Sequence, residues 1–276
     1  MKKIFINLKR FDVPKIFGGL SFTDDVRHYG ELIIQPLDKI QHNLLESITV
    51  FLPEAHLITA LNTKKEDSII NIGCQGVFTD DVCPQGNFGA YTTQRTAKSM
   101  SALGCSYVLI GHYEERRYLT ELMQQVGKVE KSVISAVLNR EVRFAIQGGL
   151  KVLFCIGERL EEQENRNQVL LNQLLQGLQY TDLSNVTIAY EPIWAIGPRA
   201  NPPTKEIIEE TVRFIKSVVN CPVVYGGGLK SENAEMLRSI DILDGGLIGL
   251  TRFEGKIGYY PDEANTIILK YLGEVK

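Results

Sequence analysis

The chain has 276 residues, 44% of them hydrophobic and 23% charged, an ordinary globular composition long enough for two medium domains or one large α/β barrel. Lysine and arginine number 30 against 33 acids, a formal charge of −3, which gives no electrostatic reason to expect nucleic acid or an anionic membrane as partner. Five cysteines (Cys74, Cys83, Cys105, Cys155 and Cys221) are scattered without a C-x-x-C pair, so reduced thiols are expected, with neither disulfides nor zinc.

At the N-terminus, M-K-K-I-F-I-N-L-K has an apolar run broken at Asn7 and Lys9. It is too short for a signal peptide, and no window approaches the roughly 18 apolar residues of a membrane span, so a cytoplasmic protein without membrane contact is expected. Residues 3–7 read instead as the first of eight short apolar runs. The others are 47–52, 68–72, 107–111, 151–157, 186–190, 222–228 and 245–250. Continuous apolar runs of this length suit strands buried on both faces, as in a parallel sheet.

Most of the runs are separated by stretches of helical character. Residues 160–178 have an acidic start and an apolar second half, which predicts a helix whose first turn complements its dipole. Residues 205–219 place Ile207, Ile208, Val212, Ile215 and Val219 near one face, with Thr204 as N-cap. Strands alternating with helices, with no linker or composition break, predict a single (β/α)8 TIM barrel over residues 1–276. A doubly wound sheet is the structural alternative, but no G-x-G-x-x-G opens a helix after the first strand.

Barrel chemistry is assembled where strands end, on the C-terminal face. Asn7 and Lys9 end the first run, His112 the fourth and Glu191 the sixth. A glutamate, an imidazole and an ammonium converging on one cavity suit proton removal from carbon next to a carbonyl, with the cation and imidazole stabilising charge on oxygen. Each residue alone has an ordinary structural reading: Glu191 a loop carboxylate, His112 a bonded core histidine, Lys9 a surface lysine. His112 precedes Y-E-E-R-R, a helix start whose positive end favours a neutral ring. Glycines in Y-G-G-G-L-K-S-E-N-A (225–234), with Gly245, Gly246 and Gly249, allow backbone N–H groups to approach an anion.

The segments I-N-L-K (6–9), I-G-H-Y-E-E-R-R (110–117), C-I-G-E-R-L-E-E (155–162), A-Y-E-P-I-W-A-I-G (189–197) and Y-G-G-G (225–228) resemble, in order, the motifs of the triosephosphate isomerase family. The resemblance implies Glu191 as catalytic base, His112 as electrophile, Asn7 and Lys9 as substrate-positioning residues and Glu114 as a supporting carboxylate. It implies substrate contacts at Gly197, Gly227, Gly228, Gly249 and Leu250. It also implies interconversion of dihydroxyacetone phosphate and glyceraldehyde 3-phosphate, a glycolytic and gluconeogenic step, with no metal or organic cofactor, by a homodimer.

Several positions depart from the family pattern. Read without a gap, Tyr113 replaces a serine and Glu115 the first of two arginines, while Tyr91 in G-N-F-G-A-Y-T (86–92) replaces the acid that this arginine meets across the dimer. The homodimer is therefore expected to have an altered interface. At the phosphate end Gly228 stands for a serine and Leu250 for a glycine, followed by Thr251 and Arg252. The lid reads P-R-A-N-P-P after Gly197, and Pro202 lacks the N–H that would serve the Tyr225 hydroxyl. Arg199 is expected to reach the substrate anion instead. Insertions at 10–22 and near 118–138, the latter helical, are expected to build new walls or a new subunit contact. These departures leave two alternatives: isomerisation of another small sugar phosphate, such as a tetrulose phosphate, or a non-catalytic sugar-phosphate-binding barrel.

Overall fold

The computed structural model describes residues 1–40, 42–196 and 202–274. Within them eight strands form a closed, all-parallel barrel in sequence order: β1 (Lys2–Asn7), β2 (Leu45–Leu52), β3 (Ile70–Cys74), β4 (Tyr107–Ile110), β5 (Lys151–Ile156), β6 (Val186–Tyr190), β7 (Val223–Tyr225) and β8 (Gly245–Ile248). β8 pairs back onto β1 through Lys3 opposite Gly245, where any side chain on Gly245 would collide with the Lys3 carbonyl.

The surrounding helices are α1 (Tyr29–Leu37), α2 (Leu57–Thr63), α3 (Ala97–Leu103), α4 (Tyr113–Gln125), α5 (Lys131–Gln147), α6 (Arg166–Gly177), α7 (Lys205–Val218), α8 (Ala234–Arg238) and α9 (Pro261–Leu272). Alternation along the strands divides the core in two. Ile4, Ile6, Val50, Val108, Ile110, Val152 and Ile188 pack outward against the helices, whereas Phe5, Phe51, Tyr107, Leu153, Ala189, Val224 and Leu247 fill the barrel. Phe5 stacks on Phe51 and meets Tyr107 edge-on, so aromatic rings occupy one side of the lumen.

The expected elements are present, with local differences in their bounds. α7 begins after Thr204, whose hydroxyl accepts the Ile207 N–H, and buries Ile208, Val212 and Ile215. The stretch 160–178 is not one helix: Leu160–Asn165 form a 3-10 turn and α6 starts at Arg166. The cause is local, since the Glu162 carboxylate turns back to accept the Arg159 N–H at 2.9 Å, and the acids serve that turn. β7 ends at Tyr225; Gly226 still donates to the Tyr190 carbonyl at 2.7 Å, and Gly227 and Gly228 make no such bond. β3 starts at Ile70, two residues late.

Both insertions are structured. Residues 10–22 fold over the barrel mouth, anchored by buried Asp12, which accepts from His56 Nε2 at 3.0 Å and from Arg10 at 2.8 Å. The stretch near 118–138 is two helices, since α4 stops at Gln125, Gly127 takes φ +79°, and α5 restarts at Lys131. No helix among the described residues is long and apolar enough to cross a membrane.

Candidate active site

The strand period that places Phe5, Cys155, Ala189, Val224 and Leu247 inside the barrel also places the residues two positions on at its mouth: Asn7, Gly157, Glu191, Gly226 and Gly249. Three of these five are glycines, and the space they leave holds the carboxylate. A side chain on Gly157 would strike the Glu191 carbonyl, and one on Gly226 would come within 2.6 Å of Glu191 Cγ. A cavity of about 210 Å³ results, lined by Asn7, Lys9, His112, Glu114, Glu191, Gly227, Gly228, Gly249 and Leu250 among others. It adjoins a wider one of about 550 Å³ that shares Asn7, Lys9, His112 and Glu114 and is walled by Phe11, Phe17 and Gly19 of the insertion.

Lys9 lies two residues beyond β1, in left-handed backbone at φ +43°. A non-glycine residue there is strained, and the strain is offset by neighbours that hold the turn. Lys9 N–H donates to Asn7 Oδ1 at 3.1 Å, and Gln75 Nε2 donates to the Lys9 carbonyl at 3.1 Å and to Asn7 Oδ1 at 3.3 Å. Held this way, the ammonium reaches Glu114 Oε1 at 2.9 Å. Burial pushes the Glu114 carboxyl up, but Lys9, His112 and Arg117 together outweigh it and hold the group below its ordinary value. Lys9 is thus no free surface lysine. The clamp from Gln75 has no sequence signal of its own, because it depends on β3 ending beside β2, across which Gln75 reaches the end of β1.

His112 is the N-cap of α4, and its Nδ1 accepts the Glu114 N–H at 3.2 Å. With Nδ1 an acceptor, the neutral ring carries its proton on Nε2. That nitrogen lies 3.5 Å from Glu191 Oε1. Glu191 is 2% exposed; its Oε2 accepts the Tyr113 N–H at 3.2 Å, while Oε1 has no hydrogen-bond partner among the described residues. The carboxylate therefore keeps one oxygen fixed by the helix start and one buried beside His112 without a hydrogen-bond partner among the described residues.

Behind Glu191 the chain makes a 3-10 turn at Ile193–Ala195. Glu158, fully buried, accepts from Trp194 Nε1 at 2.8 Å and from the Tyr190 hydroxyl at 3.1 Å. Burial raises the Glu158 carboxyl above its ordinary value, opposed by these donors and by Arg166. The lone tryptophan is thereby pinned to the loop after β5. Gly197 and Arg199 lie outside the described residues.

On the far side of the cavity, Gly227, Gly228, Gly249 and Leu250 have N–H groups that donate to no described residue. Thr251 and Arg252 face away: the Thr251 hydroxyl donates to Glu263 Oε2 at 2.9 Å, and Arg252 pairs with the same carboxylate. The Tyr225 hydroxyl is buried without a partner among the described residues, as expected with proline at position 202. Lys230 and Phe253 also line this end; neither was expected from sequence.

The start of α4 explains one departure. Partly buried Arg116 donates to the carbonyls of Gly111 at 2.7 Å and Cys155 at 2.8 Å, tying β4 to β5 below the site. Glu115 accepts the Gly111 N–H at 2.5 Å and neighbours Glu141 of α5, whose carboxyl is pushed up to about 10 by burial and by the Glu115 charge. Glu115 thus has an internal role where the gapless reading put a cross-dimer residue. Tyr91 likewise turns into its own loop, its hydroxyl bonded to Asn87 and the Asp81 carbonyl.

Comparison with known proteins agrees with this geometry. The family model described as triosephosphate isomerase matches residues 27–256. Triosephosphate isomerase of Chlorobium phaeobacteroides (strain BS1) is 35% identical over 179 residues, covering 60% of this chain and 67% of that protein. That of Geotalea uraniireducens (strain Rf4) is 34% identical over 213 residues, covering 71% and 77%. The crystal structure of triosephosphate isomerase from Bartonella henselae superposes with a TM-score of 0.64 at 26% identity, covering 90% of this chain and 92% of that one. With a barrel of this topology, a site of this make-up and a family match across most of its length, the chain belongs to the triosephosphate isomerase family.

Proposed function

We propose that the chain, acting as one barrel domain over residues 1–276, interconverts dihydroxyacetone phosphate and glyceraldehyde 3-phosphate through an enediolate. The observation that carries the residue assignment is the pairing of buried Glu191, one oxygen free, with His112 Nε2 at 3.5 Å. Glu191 takes a proton from one carbon and returns it to the next. The His112 Nε2–H donates to the two substrate oxygens in turn, and Lys9, oriented by Glu114 and Asn7, stabilises the negative charge on them. The N–H groups of Gly227, Gly228, Gly249 and Leu250 take the phosphate, and the same reading assigns Gly197 and Arg199 to it from the lid. Glu191→Gln should lower kcat by about 10²–10⁴-fold while triose phosphates still bind. A variant with near wild-type turnover would remove Glu191 from the role of base.

The reading includes a homodimer with an altered interface. Exposed Ile16 and Phe17 on the first insertion, and exposed Phe88 on the loop after β3, are the apolar surface that supports it. Sedimentation at micromolar concentration should give twice the chain mass; a monomer there would sink it. A cytoplasmic location, supported by five free cysteines, is part of the same reading and is tested by cell fractionation.

A further inference from the structure

The glycine loop after β7 carries a cation that none of the roles above uses. Lys230 stands two residues past Gly228 and lines the phosphate end of the cavity. Its backbone is fixed: Lys230 N–H donates to Asn233 Oδ1 at 2.8 Å, Asn233 Nδ2 donates to the Gly228 carbonyl at 2.9 Å, and Leu229 N–H donates to the Leu247 carbonyl at 2.8 Å. From this anchor the side chain folds back over the loop. A Cβ built on Gly228 would lie 3.4 Å from Lys230 Cε, so the lysine stem borders the space into which a side chain at 228 would project. Gly228 itself sits at φ +97°, where a serine would be strained, so a hydroxyl is not easily supplied from that position.

The ammonium is poorly compensated where it rests. Nζ lies 4.0 Å from the centre of the Phe253 ring, and it forms no ion pair with any described residue. Burial lowers the Lys230 pKa below the ordinary ammonium value, and Glu232 only partly opposes this. An aromatic face returns less to a cation than a charged acceptor would. Lys9, the other ammonium of the cavity, is already held by Glu114 at the opposite end. The same end of the cavity is lined by Gly227, Gly228, Gly249 and Leu250, whose N–H groups donate to no described residue.

We propose that Lys230 is a specificity-determining residue of this site, which leaves Phe253 to pair with a doubly charged phosphate monoester seated on those four N–H groups. The proposal rests on the isomerase reading for the identity of the substrate, but not for the existence of the anion site. Lysine at this position supplies a full charge where the glycine loops supply only dipoles, and it favours dianionic phosphate esters over uncharged sugars.

The test uses the full-length protein, with inorganic phosphate as titrant and the triose phosphates as substrates. Lys230→Met keeps the stem on Phe253 and deletes the charge. It should raise the phosphate dissociation constant and KM roughly ten- to hundredfold, the equivalent of the ~1.5–3 kcal/mol of one hydrogen bond to a charged group, with kcat much less changed. Lys230→Arg should recover most of the affinity, and Lys230→Met should flatten the dependence of KM on salt. A merely structural lysine would move neither the salt dependence nor the split between KM and kcat. Unchanged phosphate affinity in Lys230→Met, with wild-type turnover intact, overturns the proposal and leaves the isomerase reading standing. Lysine-dependent phosphate binding without turnover in the wild type supports Lys230 and overturns the isomerase reading. A wild type that binds no phosphate overturns both.

Discussion

Replacing Gly226 by alanine tests whether the position of Glu191 is set by packing against the end of β7. Gly226 has no left-handed φ, so alanine meets no backbone penalty there and the perturbation is one of contact alone. The added Cβ would lie 2.6 Å from Glu191 Cγ, 3.0 Å from the Tyr190 carbonyl oxygen and 3.2 Å from its carbon. Carbon atoms rest at about 3.5–4.0 Å, so relief needs roughly 1 Å of movement. The Tyr190 carbonyl resists, because it belongs to the barrel ladder and accepts the Gly226 N–H at 2.7 Å. The side chain of Glu191 therefore gives way, carrying its carboxylate from the position 3.5 Å from His112 Nε2. A misplacement of about 1 Å costs on the order of a hundredfold in rate. Steady-state turnover of the triose phosphates should show kcat reduced by that order, with KM changed far less because the phosphate loops are untouched. Urea unfolding run alongside should show a loss of about 1–3 kcal/mol from overpacking. A folded Gly226→Ala that keeps the wild-type kcat would refute the view that this glycine positions the base.

Two further predictions concern the frame of the site. Glu141, pushed up to about 10 from an ordinary 4.5, keeps a proton in the folded chain that the unfolded chain releases. Its contribution to stability is complete below pH 4.5 and is lost as pH rises towards 10, by up to ~1.4 kcal/mol per pH unit. Glu141→Gln should therefore be more stable than the wild type at alkaline pH and show a flatter Tm against pH; a Tm profile parallel to the wild type would disprove the raised Glu141 carboxyl. Trp194→Phe removes the 2.8 Å donor to buried Glu158 and should cost about 1–3 kcal/mol in urea unfolding. Unchanged stability would mean that Glu158 finds another donor.

Much of this protein was legible in the order of its residues. Apolar runs of strand length, spaced by helical stretches, predict a parallel barrel because only a sheet buried on both faces makes use of them. The same period of two that sends Ala189 inward sends Glu191 to the mouth, and a glutamate before proline at a strand end is visible in the linear chain. Thr204 as a cap and the helix after it are equally local.

What sequence could not decide was which groups meet across the barrel. Lys9 looks like a surface lysine until Gln75, from another strand end, holds its carbonyl and Glu114, more than a hundred residues on, takes its charge. Glu115 and Tyr91 look like altered dimer residues until the fold gives each a partner in its own chain. Lys230 gains meaning only when Phe253 and the free N–H groups after β8 are brought beside it. The division has a physical cause. Backbone preference and burial periodicity act over a few residues and are written along the chain, whereas charge pairing and hydrogen bonding depend on distances that exist only once β8 closes onto β1.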